Sequence, residues 1–388
     1  MDKTKRTFLH DAINFVSLAA QSLENDDFSD CFHAASPYEM KGSGVLYVFS
    51  FIIRYFLLFP LRVVSFSIGA SVIGLYFLYG KYTHNYDAIS SSFTLFNKLL
   101  MTVLNFKANH HGTKVKHSEP HVYVSNHTSF IDYILLSSYK FSHACIAEVH
   151  GGLFGFILLH ILAHNGSIGF KRSDKQDRSQ IIGKIKEHIH RNLAPMLIFP
   201  EGTCVNNRYV VLFQKGAFDL DTLVCPVAIK YQKDLMEPYW NRRMHGFTGH
   251  IFYLATRWRI DAEVYWMDPV RRKEDETSVE FSHRVKNMIA EQLNIKNTLW
   301  NGSFKSSPVL NDREILKNCF VKVYCRIRNN LQNNQLAENK DESFIFSNAS
   351  ISQESKNDRT YFGCVSYKAF INECCKEYLR EKHANISH

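Results

Sequence analysis

The chain has 388 residues, 45% of them hydrophobic and 21% charged, which excludes a wholly disordered protein and allows one large domain or two smaller ones. Its net charge of +9 favours anionic partners, whether a membrane surface, a phosphorylated substrate or nucleic acid. Lysine and arginine are spread along the chain without a nucleic-acid motif, so no nucleic acid is expected among the partners.

The nine cysteines, at 31, 145, 204, 225, 319, 325, 364, 374 and 375, form no CxxC pair and no metal-ligand spacing. No metal site is expected, and reduced thiols facing a cytosolic compartment follow. The 30 Phe and 19 Tyr suit a protein that meets acyl chains and equally a large core. Residues 1–44 form an N-terminal amphipathic region. Its one expected helix carries Phe8, Ala12, Phe15, Val16, Ala19, Ala20 and Leu23 near one face. That face suits a membrane surface or the protein body. Asp11 and Asn14 interrupt it and no cleavage site follows, so no signal peptide is expected.

Residues 45–80 mark the clearest shift in composition. Val63 to Gly80 is uncharged and mostly apolar, close to the roughly 20 residues that span a bilayer. Val45 to Phe59 is apolar too but carries Arg54, a costly charge at mid-bilayer. The segment is expected to be membrane-embedded, as one span over 63–80 or as a helical hairpin kinked at Pro60. A buried helix of a soluble core is the competing reading.

From 81 to 300 short apolar strands alternate with helices, the pattern of an α/β domain. Strands are expected at Val122–Val124, Ala144–Ala147, Ser167–Phe170, Met196–Phe199, Val224–Ile229 and Asp261–Trp266. Helices are expected at Gln176–Arg191, with Ile181, Ile182, Ile185 and Ile189 inward, and at Glu276–Leu293, with Val279, Val285, Met288, Ile289 and Leu293 inward. Residues 151–162 are apolar but too short to span, so interfacial or buried. Residues 301–388 turn polar, with 330–358 expected disordered and an amphipathic stretch at Tyr367–Tyr378. The fold class expected is α/β: a mixed sheet flanked by helices, with an N-terminal membrane-embedded helical segment.

Three stretches carry candidate chemistry. Asn126-His127-Thr128-Ser129-Phe130-Ile131-Asp132 joins a buried strand to a helix that Thr128 or Ser129 would cap. Asp132, in its first turn, can fold back on His127, fix its tautomer and leave the other ring nitrogen as a general base. With 19 histidines in the chain, a His and Asp at this spacing also arise by chance. Phe199-Pro200-Glu201-Gly202-Thr203 delivers a carboxylate, a flexible glycine and a hydroxyl to the carboxyl edge of a sheet, where α/β folds bind ligands; alone it is ordinary turn chemistry. Lys171 and Arg172 end another strand on two cations, and Arg172 could clamp a phosphate bidentately. Lys215 is a third candidate for that phosphate, a solvated cation being the plain alternative for each.

Other chemistries lack their motifs. His150-Gly151-Gly152 is not followed by Gly-x-Ser-x-Gly, which argues against a serine hydrolase. A Gly-x-x-x-x-Gly-Lys loop and a His-Glu-x-x-His helix are also missing from the sequence.

Taken together, these stretches resemble the four motifs of the glycerolipid acyltransferases. Asn126, His127 and Asp132 match the first, Gly169-Phe170-Lys171-Arg172 is similar to the second, Phe199 to Thr203 is the third unbroken, and Val224-Cys225-Pro226-Val227 is similar to the fourth. Cys204-Val205-Asn206-Asn207, Val149 to Leu153 and Pro226 to Tyr231 are most similar to the endoplasmic-reticulum glycerol-3-phosphate acyltransferases of eukaryotes. The likeness covers about 50–305. Phe130 departs from the proline usual in that branch, and Cys204 from the arginine of many lysophosphatidate acyltransferases.

The resemblance implies an acyl-CoA-dependent O-acyltransferase of the endoplasmic reticulum membrane, its active site facing the cytosol. The substrates implied are acyl-CoA and glycerol 3-phosphate, with the lipid bilayer as a further partner and acyl-CoA a co-substrate, so no cofactor is expected. His127 and Asp132 are then catalytic. Arg172 holds the acceptor phosphate, Glu201, Gly202 and Thr203 position the glycerol part, and Lys215 adds a weaker phosphate contact. Three alternatives stay open: the same chemistry on a lysophospholipid, a lipid hydrolase, and a catalytically silent membrane lipid-binding protein.

Overall fold

The computed structural model describes residues 27–34, 44–149, 152–170, 175–191, 194–233, 236–242, 244–306, 318–323, 325–326 and 376. The helix expected over Phe8–Leu23, the stretch 330–358, nearly all of Tyr367–Tyr378, and Lys171 and Arg172 lie outside them. The chain divides into two compact units, residues 28–303 and residues 1–27 with 304–388. In the second unit residues 318–323 are helical, with Cys319 and Val323 buried.

The larger unit is built on a seven-stranded sheet. Its strands are β1 (Phe106–His111), β2 (His121–Ser125), β3 (Ala144–Glu148), β4 (Ile168–Phe170), β5 (Met196–Ile198), β7 (Leu223–Gln232) and β8 (Ile260–Trp266), in the order β1-β8-β7-β2-β5-β3-β4. The pairs β2–β7, β2–β5, β3–β5 and β3–β4 are parallel, β7–β8 is antiparallel, and β1 runs parallel to β8. A separate parallel pair joins β6 (Tyr209–Val210) to β9 (Lys296–Asn297). This is the mixed sheet the sequence predicts. Strand β1 was not foreseen: FKANHH lacks a run of apolar residues, as its edge position and alternating burial explain.

Successive side chains of a strand point to opposite faces, so a strand covered on both sides is apolar throughout. Strand β2 is buried along its whole length. Tyr123 enters one core with Ile131, Leu135 and Leu254, whereas Val122 and Val124 enter the other with Ile185, Phe281, Val285 and Ile289. The first core is closed by helices α3 (Ile131–Ser138) and α5 (Phe247–Ala255), the second by α4 (Lys175–His190) and α6 (Ser278–Leu293). A reciprocal capping box between Thr277 and Glu280 opens α6. Its buried stripe runs through Phe281, Val285 and Ile289, and Val279 is exposed, correcting one expected inward position.

The apolar segment is one helix, α1 (Gly44–Tyr82), with a π-helical turn at Ile53–Leu58. Pro60 sits in the first turn of its α-helical continuation and does not reverse the chain. The reversal comes at Thr83–Asn85, where Asn85 caps α2 (Tyr86–Val103) by accepting from the Ala88 N–H at 3.0 Å. Helix α1 is the one helix among the described residues long and apolar enough to cross a membrane. Its most apolar stretch has mean hydropathy 1.9, with 6% of it buried. That is not the burial of a soluble core helix.

Its two arginines turn onto the α/β body. Arg54 donates to the Ser50 and Thr256 carbonyls, and Arg62 to those of Ala255 (2.8 Å), Arg257 (2.5 Å), Trp258 (3.2 Å) and Leu104 (3.4 Å). Apart from Ser50, which lies in α1 itself, these carbonyls sit at or just past the ends of α5 and α2, where unpaired acceptors and the helix dipole favour a cation. The cost expected of Arg54 in lipid therefore does not arise. The apolar stretch after it, Gly152–Asn165, is helical in three short pieces, and Phe156, Leu159 and Ile161 are exposed. Of the two readings for that stretch, burial is ruled out at these three residues.

Candidate active site

Strands β2 and β5 end side by side, and their C-terminal loops carry Asn126 to Asp132 and Phe199 to Thr203. Such an edge is where α/β sheets gather ligand-binding groups. His127 Nδ1 lies 2.9 Å from Asp132 Oδ2. The same oxygen accepts the backbone N–H groups of Thr128 (2.6 Å) and Ser129 (2.9 Å), while Oδ1 accepts the Tyr231 hydroxyl at 2.5 Å. Asp132 is fully buried and the His127 side chain is 19% exposed, so the carboxylate is enclosed and the imidazole reaches the surface.

This arrangement corrects the expected cap. Phe130 occupies the N-cap of α3 and no side chain of Thr128 or Ser129 caps it. Asp132, inside the first turn, reaches back to the N–H groups those residues offer. A carboxylate there is also favoured by the positive end of the helix.

The tautomer follows. Asp132 accepts at Nδ1, so Nδ1 carries the proton and Nε2 holds the free lone pair of a base. Nε2 lies 3.5 Å from Cys204 Sγ, and the ring stacks on Phe199 with centroids 4.2 Å apart. Burial opposes charge on the imidazole, but the Cys204 sulfur and the Asp132 carboxylate more than offset it and raise the pKa above the ordinary 6.5.

Glu201, expected to position the glycerol part of the acceptor, has its carboxylate turned inward, 1% exposed, with Oε1 accepting the His127 N–H at 2.7 Å and Oε2 the Val211 N–H at 3.1 Å. Val205 N–H donates in turn to the His127 carbonyl at 2.8 Å. Both peptide groups of His127 are thus held by the loop after β5. Burial pushes the Glu201 carboxyl up to about 8, against the pull of its two backbone donors and of His127.

Gly202 is exposed in a left-handed conformation, φ +66°, closing the turn onto the Phe199 carbonyl. Thr203 is half-buried beside it. Gly302 approaches this turn so closely that a Cβ would meet Thr203 Cγ2 at 2.5 Å and the Glu201 carbonyl at 3.0 Å. Lys215 is mostly exposed, 3.8 Å from Asp219. The neighbouring Gln214 N–H donates to the Pro200 carbonyl at 2.8 Å, which sets Lys215 beside the same turn.

Sequence reasoning assigned no role to the residues that lock the loop to β7. Asn126 pairs through both ends of its amide with the Ile229 carbonyl and N–H, each at 2.9 Å. Asn207 donates to the Ile229 carbonyl (2.8 Å) and the Thr128 hydroxyl (3.1 Å) and accepts from the Tyr231 N–H (2.8 Å). Asn126, directly after the apolar run of β2, was a usable signal, because a buried amide must find partners. Tyr231 gave none, since a tyrosine in a buried strand is ordinary core.

A histidine oriented by a buried carboxylate at the carboxyl edge of a mixed sheet is an arrangement that can serve acyl transfer. Comparison with known proteins gives the same class. The family described as Acyltransferase matches residues 107–230. Glycerol-3-phosphate acyltransferase 4 of Mus musculus is 31% identical over 349 residues, covering 84% of this chain and 75% of that protein. Glycerol-3-phosphate acyltransferase 3 of Gallus gallus is 33% identical over 300 residues, covering 75% and 66%. The Homo sapiens glycerol-3-phosphate acyltransferase 4 is 33% identical, covering 73% and 62%. The chain therefore spans about two thirds of the length of the curated relatives it matches. A solved structure, the 1-acyl-sn-glycerophosphate acyltransferase PlsC of Thermotoga maritima, is 17% identical, with TM-score 0.45 over 64% of this chain and 97% of that one. The chain belongs to the glycerolipid acyltransferase family, in company with the glycerol-3-phosphate acyltransferases.

Proposed function

We propose that this enzyme transfers a fatty acyl group from acyl-CoA to the sn-1 hydroxyl of glycerol 3-phosphate, forming lysophosphatidic acid for phospholipid and triacylglycerol synthesis. The observation that carries the reading is the His127–Asp132 pair, with Nδ1 on the carboxylate and Nε2 turned away from it beside Cys204, on the partly open side of a fixed loop. The names of the relatives support the acceptor.

In this mechanism Nε2 takes the hydroxyl proton as the oxygen attacks the thioester carbonyl, and Asp132 holds the ring while it is charged. The tetrahedral intermediate collapses, the carbon–sulfur bond breaks, and the imidazolium returns the proton to the departing CoA sulfur. General-base help of this kind is worth about 10²–10⁴-fold. Glu201 contributes by holding the His127 backbone. Gly202 and Thr203 form the turn beside the ring, Arg172 follows β4 in sequence and is assigned the acceptor phosphate, and Lys215 supplements it. The chemistry asks for no cofactor, acyl-CoA being a co-substrate.

Helix α1 would seat the enzyme in the endoplasmic reticulum membrane with the site facing the cytosol, so that acyl chains enter and leave through lipid. The exposed apolar residues of α1, from Val45 to Leu78, support this placement.

The test is release of CoA from long-chain acyl-CoA by membranes containing the protein. Glycerol 3-phosphate, lysophosphatidate, lysophosphatidylcholine or no acceptor is supplied in turn. The reading expects release that needs glycerol 3-phosphate; release with a lysophospholipid alone, or without acceptor, contradicts it.

A further inference from the structure

Helix α5 lies between the apolar helix α1 and the catalytic loop and holds both. At its C-terminal end Arg62 takes the Ala255 and Arg257 carbonyls, and Phe252 meets Tyr55 and Phe59 with ring centroids 5.8 and 5.0 Å away. At its other end, His250 Nε2 is 3.3 Å from the Ser129 hydroxyl, and Phe247 and His250 close on Phe130 at 4.8 and 5.7 Å. Ser129 and Phe130 are two of the four residues separating His127 from Asp132, and the Ser129 N–H already donates to Asp132.

The chemistry of this contact is one-directional. The Pro238 carbonyl takes a ring N–H of His250, and burial holds the ring's pKa down to about 4, so it is neutral. A neutral ring that has donated once accepts at its other nitrogen, and the Ser129 hydroxyl is the donor. Ser129 is fully buried and His250 is 2% exposed, so no water competes for the bond. The same loop is also held at Thr128, whose carbonyl accepts the Trp240 N–H at 3.2 Å and whose hydroxyl accepts from Asn207 at 3.1 Å, so the His250 bond is what fixes the next residue, Ser129, by its side chain.

We propose that His250 is a positioning residue for the acyl transfer: through Ser129 it fixes the turn that sets Asp132, and hence His127, against α5 and the membrane helix that anchors α5. It touches neither substrate nor reacting atom. The inference rests on the proposed roles of His127 and Asp132.

The experiment compares full-length wild type with His250→Phe, Ser129→Ala, the double variant and His250→Gln in phospholipid vesicles. It reads kcat, KM for acyl-CoA, and the pKa of His127, followed as the pH dependence of its modification by diethyl pyrocarbonate with peptide mass mapping. His250→Phe is expected to lower kcat about 10- to 100-fold, the scale of a small misplacement of reacting groups, with little change in KM. It should also lower the His127 pKa. Ser129→Ala should act alike, the double variant should lose no more than either single, and His250→Gln should recover most of the rate. Wild-type kcat and pKa in His250→Phe, or additive losses in the double variant, would overturn the proposal. If His250→Phe does not fold, Ser129→Ala and His250→Gln carry the same comparison. A wild type without glycerol-3-phosphate-dependent release counts against the proposed function instead, and the His127 pKa still decides this point.

Discussion

Glu201 holds His127 by its backbone, not by its ring: the carboxylate accepts the His127 N–H at 2.7 Å while the imidazole turns to Asp132. The loop after β5 thus fixes where the His127 ring sits, and the helix after β2 fixes how it points. The two stretches form one site although 66 residues of chain, 133 to 198, separate them.

Replacing Glu201 with Gln keeps the shape but turns one acceptor into a donor facing a backbone N–H. A buried N–H left without a partner costs about 1–3 kcal/mol. Glu201→Gln should therefore lower the unfolding temperature and reduce kcat together, measured by thermal unfolding and CoA release on the same preparation. Wild-type stability with full activity would show that the second acceptor oxygen is dispensable.

Asp132→Asn removes the ring's orienting acceptor and the negative charge beside it. An amide in that place cannot accept from Thr128, Ser129, Tyr231 and Nδ1 together, so the ring loses its tautomer. By the precedent of other His–Asp pairs the loss in kcat is on the order of 10³–10⁴. KM for acyl-CoA should stay near wild type, which a full rate–concentration series would reveal.

The raised His127 pKa sets the sign of the pH dependence. The charged ring cannot accept a proton, so kcat/KM should fall on the acid side, with a midpoint above the 6.5 of an ordinary histidine. Cys204→Ala removes one source of the shift and should move the midpoint downward. Stability runs the other way. A raised folded pKa contributes stability that is present below about 6.5 and is lost as pH rises through the folded value. His250, held neutral down to about 4, contributes stability that is lost as pH falls from about 6.5 toward 4. Denaturant unfolding across pH 4 to 9, in wild type and in the His127→Ala and His250→Gln variants, separates the two.

Lys114 offers a contrast. Its ammonium donates to the carbonyls of Leu136 (2.7 Å), Tyr139 (2.8 Å) and Phe141 (2.5 Å), closing the C-terminal end of α3 whose first turn holds Asp132. Phe141 lies under it, 4.1 Å from the ring centroid. Lys114→Met keeps the stem and strands those carbonyls. It should cost stability on the order of 1–3 kcal/mol while the folded fraction keeps its kcat. A rate loss without a stability loss would place Lys114 in the catalytic machinery.

Much of this was legible in the sequence. Continuous apolar runs mark β2 and β7, and the strand–loop–helix placement of His127 and Asp132 follows from the apolar runs on either side of them. Partner choice was less legible, because it depends on what the fold brings near. Glu201 reads as a ligand-facing carboxylate until the His127 N–H is beside it, and Arg54 reads as a charge in lipid until the Thr256 carbonyl accepts from it. Tyr231 and His250 carry no local signal. Strand β1 is too polar, and α5 too short, to stand out by periodicity.

The central claim is that His127 is the base of an acyl transfer to glycerol 3-phosphate. The most direct measurement is mass spectrometry of the lipid formed from acyl-CoA and glycerol 3-phosphate by vesicle-bound wild type and His127→Ala, both shown to be folded. Lysophosphatidic acid acylated at sn-1 is expected from the wild type, and a rate at least about 10²-fold lower from the variant. Equal product from both, or no such product from the wild type, would contradict the claim.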